Sequence, residues 1–123
     1  MLVISIALRA PIVMRKLDNK DIEILRKLAP EIQNKSSIEY RSILPPVSMY
    51  YAEDAEDFES RLNRLDEHDL TYLTRRILDG SECLLCISPD FARIFLDILE
   101  QRISKDQAES IRNLYKSETG YEA

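Results

Sequence analysis

The sequence predicts an all-α protein, a compact multi-helix bundle of about five or six short helices joined by tight capped corners. Three observations carry that prediction. Only two glycines, Gly80 and Gly120, occur in 123 residues, and a β-sandwich or barrel of this size needs more tight-turn positions. Apolar residues after position 53 recur at three- and four-residue intervals, the period of a helix with one buried face. Polar cap signatures punctuate those runs.

Composition sets the frame for the individual elements. Apolar residues make up 45% and charged residues 32%, the balance of a chain that folds around a core. The length suits one domain over 1–123. Charge is uneven along it. Residues 1–49 hold eight Lys/Arg and five Asp/Glu, a net +3, while residues 50–123 hold nine and seventeen, a net −8. Such asymmetry orients a charged partner, and at the least gives an unevenly solvated surface.

Residues 1–17 read as an apolar N-terminal arm. Met1 to Leu8 is apolar apart from Ser5, and Arg9 follows. A secretory signal has a basic region ahead of its apolar one and a small-residue cleavage site, and neither is present. The stretch falls short of the ~20 apolar residues of a membrane span, so no span and a cytoplasmic location are expected. Either Met1 or Met14 reads as a start, because Met14 opens the ordinary N-terminus MRKLDNKD. An ordered apolar arm packs on its own core or on a second copy of the chain.

The first helix is expected from Asp18, which with Asp21 has capping-box spacing. Ile22, Leu25, Leu28 and Ile32 supply its apolar stripe, and Glu23 with Lys27 forms an exposed i, i+4 pair. Pro30 ends it near Leu28 or restarts it. A second, weaker helix is expected over 31–43, stopped by Pro45-Pro46. Residues 45–52 then form an internal connector where the charge balance changes sign.

Phe58, Leu62 and Leu65 mark the next helix, with Asp57 and Arg61 as an ion pair along it. Asp66 caps another, with Asp69 at the capping-box position and Leu70, Leu73 and Ile77 as its stripe; Gly80 suits the left-handed residue just past its end. Ser81 to Ile87 is a short apolar connector. Ser88-Pro89-Asp90 is a strong helix start, and the broad face of Phe91, Ile94, Phe95, Leu96, Ile98 and Leu99 belongs to the most buried helix of a bundle. Ser104 caps the last helix, Gln107 is expected to complete a capping box with it, and Ala108, Ile111 and Tyr115 line it. The Leu65–Ile77 pattern recurs 38 residues later as Ile103–Tyr115. Two similar corners in one bundle explain this echo better than a repeat array.

Candidate chemistry is sparse. Cys83 and Cys86 form a CxxC pair, the spacing of a redox dithiol or of half a zinc site. A tetrahedral zinc site wants four ligands, and the chain offers no further cysteine and one histidine, His68. The pair therefore reads first as small apolar residues burying a connector. Glu53, Asp54, Glu56, Asp57 and Glu59 place five carboxylates in seven residues, enough to hold Mg²⁺ or Ca²⁺. The run is similar to the acidic pairs of all-helical nucleotide pyrophosphatases, which implies a facing pair such as Asp66 and Asp69. Acids in a first helical turn also serve the helix dipole, the reading preferred here. His68 sits between Glu67 and Asp69 at a helix start, where a surface position is expected.

The segment Leu17-Asp18-Asn19-Lys20-Asp21-Ile22-Glu23-Ile24-Leu25 resembles the opening helix of winged-helix transcription regulators. That resemblance implies a basic recognition helix and a two-stranded wing. The following segment departs from it, with Lys35 and Arg41 only and no glycine-containing hairpin. Met49-Tyr50-Tyr51 follows the double proline, and tyrosines in a connector make good contact anchors.

The expectation is a non-catalytic protein-interaction or accessory subunit that pairs with a protein partner or with itself as a homodimer. Met49, Tyr50 and Tyr51 are the expected contacts. No catalytic residue, cofactor or metal is assigned. Two alternatives stand beside it: nucleic-acid binding through the basic N-terminal third, and a metal-dependent enzyme using the acidic run at 53–59.

Overall fold

A computed structural model describes residues 17–32, 42–84 and 86–123, and all the regular structure among them is helical. In chain order the helices are α1 (Asn19–Leu28), α2 (Leu44–Pro46, running on into a π-helical turn Val47–Tyr51), α3 (Ala55–Leu62), α4 (Glu67–Leu78), α5 (Pro89–Arg102) and α6 (Lys105–Thr119). The expected all-α bundle is what forms. The arm over 1–16, Lys35 and Arg41 lie outside the described residues.

The N-cap residues fall where the sequence places them, though the box expected of Ser104 and Gln107 is only half made. The Asp18 side chain accepts from the Asp21 amide at 3.0 Å, and Asp21 accepts from the Asp18 amide at 2.9 Å. The same reciprocal box closes on Asp66 and Asp69, at 2.8 and 3.2 Å. Ser88 caps α5 with Pro89 behind it. Ser104 caps α6 by accepting from the Gln107 amide, without the return bond from Gln107. Each cap satisfies amides that have no partner inside the helix. Gly80 (φ 87°) and Gly120 (φ 81°) end α4 and α6 in the left-handed region, which only glycine enters at little cost.

Two expectations need correcting. Where a second helix was expected to begin, Glu31 and Ile32 belong to a 3-10 turn, Pro30–Ile32, and where it was expected to end, residues 42 and 43 are not helical. Pro30 cannot donate into a continuing α-helix, and the Ile32 amide bonds back only to Ala29 O at 3.0 Å. The body of that expected helix, 33–41, lies outside the described residues. Second, among the described residues no helix runs into Pro45-Pro46. Both prolines occupy the first turn of α2, where their missing N–H groups would have had no partner. The expected connector at 45–52 is therefore a helical turn through Tyr51.

Helix α5 is the central element. It packs on α6 and on α3, while α3 also meets α1 and α4 meets α6. Its Ala92, Phe95, Leu96 and Leu99 are fully enclosed, with Phe58 and Leu62 of α3 and Ala108 and Ile111 of α6. Phe91 stacks on Phe58 with ring centres 4.7 Å apart and planes 11° off parallel, worth about 1 kcal/mol beyond the area buried. Polar ties fix the corners. Arg102 donates to Leu65 O at 2.7 Å, holding the α5 end against the α3–α4 corner. The Tyr115 hydroxyl donates to Ile87 O at 2.8 Å, holding α6 against the stretch before α5.

Candidate functional site

The expected contact residues sit on the π-helical turn that ends α2. The Ala52 amide closes this turn by donating to Val47 O at 2.8 Å. One extra residue per turn shifts the side chains after Val47 around the helix. Val47 stays in the core, while Met49 and Tyr50 face solvent with 62% and 68% of their surfaces exposed. Tyr51 departs from its two neighbours and packs against the core.

Two buried charged residues from elsewhere hold this turn at its ends. At the start stands Glu82, only 2% exposed. Its carboxylate accepts from the Ile43 amide at 2.9 and 3.0 Å and from the Leu44 amide at 3.0 Å. Ile43 offers no side-chain cap, so a carboxylate from 39 residues away does the work of one. At the far end stands Arg61, 6% exposed. It donates to Tyr51 O at 3.0 Å and to Leu28 O at 2.9 Å, and grips the Glu31 carboxylate at 3.0 and 2.8 Å and Asp57 at 2.9 Å. The hydrogen bond to Glu31 raises the guanidinium pKa above its usual value, and the same bond lowers the Glu31 carboxyl.

Sequence reasoning missed the role of both residues. Glu82 was expected within an apolar connector. Arg61 was expected to pair with Asp57, which it does at 2.9 Å, but not to be buried or to reach Glu31 and two backbone carbonyls. For Glu82 the available signal is a lone acid among apolar neighbours. For Arg61 no local signal exists, because its carbonyl acceptors come from separate elements.

The acidic run at 53–59 is drawn into helix capping. Asp54 accepts from the Asp57 amide at 2.8 Å, and Asp57 accepts from the Glu53 amide and from Arg61, both at 2.9 Å. Those bonds, the backbone one first, lower the Asp57 carboxyl below its usual value. Glu53, Glu56 and Glu59 point to solvent. Asp69 belongs to a different cluster. Fully buried, it accepts from Lys20 at 2.8 Å and from Lys27 at 2.7 Å besides capping α4. Burial alone would raise its pKa, but the two lysines and the Asp66 amide outweigh it and hold Asp69 to about 2. Among the described residues no group of three or more His, Cys, Asp or Glu has the geometry to hold a metal ion. His68 is exposed, as expected. Among them, too, no helix is long and apolar enough to cross a membrane.

The CxxC pair is not the buried filler expected of it. Cys86 is exposed and Cys83 only half-buried, with the two sulfurs 3.0 Å apart. The burying is done by their neighbours Leu84 and Ile87, 3% and 4% exposed.

Comparison with protein-family models, curated proteins and solved structures finds no match.

Proposed function

We propose that this chain is a non-catalytic interaction or accessory protein of the cytoplasm that pairs with a second copy of itself through the Met49–Tyr50 turn. One observation carries the reading: two large apolar side chains stand exposed on a turn whose ends are clamped by Glu82 and Arg61. A contact surface that is ordered before binding loses less conformational freedom when the partner arrives. Tyrosine and methionine are both enriched at protein interfaces.

Charge favours a second copy as the occupant. The turn lies where the chain passes from net +3 to net −8. A two-fold contact is self-complementary, so a pair formed about this point can set the basic portion of one copy beside the acidic portion of the other. The buried polar groups support a non-catalytic role, since Glu82, Arg61 and Asp69 are occupied in holding helices together.

Sedimentation equilibrium tests this. The full chain is expected to dimerise, with a dissociation constant that rises with added salt. Replacing Met49 and Tyr50 together by serine should weaken the dimer at least about tenfold without lowering the unfolding midpoint read at concentrations below the dissociation constant, where the chain is monomeric. A wild-type chain that is monomeric at every concentration, or a dimer indifferent to the double substitution, overturns the reading.

A further inference from the structure

We propose that Cys83 and Cys86 form a redox-active dithiol that closes to an intramolecular disulfide by exchange with a low-molecular-weight disulfide of the glutathione class. The inference stands apart from self-association, because it concerns a different surface and a covalent reaction.

The local fold sets up the reaction. The Ile87 amide donates to Leu84 O at 3.3 Å, making a turn of the stretch between α4 and α5. Leu84 and Ile87 point into the core from this turn, and the Tyr115 hydroxyl ties down the Ile87 carbonyl. Cys83 and Cys86, each one residue ahead of an anchored neighbour, are left on the outer side. They keep the same three-residue spacing, and their sulfurs meet at 3.0 Å. A disulfide bond measures about 2.05 Å, so closure asks for about 1 Å of movement. Cys83 and Leu84 lie in no regular element, and Cys86 lies in a turn. Among the described residues of this stretch, no helix has to break to allow it.

Exposure assigns the order of events. Cys86 is the more exposed thiol. Its thiolate attacks one sulfur of glutathione disulfide, the S–S bond breaks, and the departing glutathione thiolate takes up the proton that Cys86 lost. The Cys83 thiolate then attacks the Cys86 sulfur of this mixed disulfide. The second glutathione leaves and takes up the Cys83 proton. One disulfide and two thiols are consumed, and one disulfide and two thiols form. Reduced glutathione in excess runs the same steps backwards. A reversible dithiol of this kind is the form in which disulfides serve in reducing compartments.

The full chain, incubated with glutathione disulfide and watched by intact mass and maleimide labelling, provides the test. Expected is the loss of two hydrogens and of both labelled thiols, restored by reduced glutathione, with the helical circular dichroism spectrum unchanged. Cys83→Ser should instead trap one glutathione on Cys86, because the resolving thiol is gone. The closing step should run at least about tenfold faster in the folded protein than in urea, since the fold holds the sulfurs together. A wild-type protein that stays reduced, accumulates a lasting glutathione adduct, forms disulfide-linked dimers or closes no faster than the unfolded chain overturns the proposal.

Discussion

Two seams hold this bundle, and they are made of different material. Around α5 the seam is carbon: Phe58, Leu62, Phe95, Leu96, Leu99, Ala108 and Ile111 are all fully buried. Between α1 and α4 the seam is charge, and the two backbones scarcely approach. Long side chains cross the gap instead. Lys20 and Lys27 of α1 reach Asp69 in the first turn of α4. Tyr72 of α4 reaches Asp21 in the first turn of α1 at 2.9 Å, and Arg76 approaches the same carboxylate at 3.5 Å. Each helix thus offers the acid of its capping box to donors on the other. Capping alone does not make such a seam. Helix α6 has Gln107 at the corresponding position, exposed and without the return bond. An acid there can cap and bind a cation at once, while a neutral amide gives a cation little to bind.

The carbon seam should give the largest effect when broken. Phe95→Ala removes an aromatic ring from a site with no solvent contact. A loss of about 3–5 kcal/mol is expected, read from the urea midpoint. No charge takes part, so the loss should be the same at pH 7 and at pH 3. A loss that shrinks with acid would mean the two seams are coupled.

The charged seam should break in a pH-dependent way. Asp69 is held near 2 in the fold, against 3.8 when unperturbed. As pH falls from about 4, the unfolded chain takes up this proton first and the folded chain does not. The stabilisation from Asp69 is therefore whole above about pH 4–5 and lost as pH falls through about 2, and it amounts to roughly 2 kcal/mol. Asp69→Asn keeps the shape and removes the charge. It should lower stability by about that much at neutral pH, with the deficit against wild type closing near pH 2. An equal deficit at both ends of the titration would sink this account.

The two seams were unequally legible in the sequence. The carbon seam could be read in advance, because a helix writes its buried face into the spacing of its own residues, as in Phe91 to Leu99. The caps were legible for the same reason, since Asp18–Asp21 and Asp66–Asp69 each lie within one turn. The charged seam was not legible. Lys27 was expected in an exposed pair with Glu23 and does approach it at 3.7 Å, but its shorter bond, 2.7 Å, goes to Asp69. Partners 42 residues apart leave no periodic mark. The turn that carries Met49 and Tyr50 shows the same division. Met49 and Tyr50 were picked out by their place after two prolines, whereas Glu82 and Arg61, which hold the turn, are linked to it only through the fold. Prolines 45 and 46 were misread because a double proline stops a helix that precedes it and opens one that follows it.

The smallest effect should come from the reverse half of the charged seam. Tyr72→Phe deletes one hydroxyl. Asp21 then loses its 2.9 Å donor but keeps the Asp18 amide at 2.9 Å and Arg76 at 3.5 Å. The ring stays beneath Arg76, whose guanidinium carbon lies 5.4 Å from its centre. A hydrogen bond to a charged group is worth about 1.5–3 kcal/mol in general. With at least the Asp18 amide and Arg76 left to Asp21, about 1 kcal/mol is expected from the urea midpoint. Burial first, and then the bond to Asp21, push the Tyr72 phenol above its usual 10, so the hydroxyl keeps its proton across neutral pH. The deficit should accordingly be flat between pH 6 and 9, unlike that of Asp69→Asn in acid. A Tyr72→Phe cost equal to that of Asp69→Asn would mean that the two halves carry equal weight, and that the lysines at Asp69 add nothing beyond what one neutral hydroxyl supplies to Asp21.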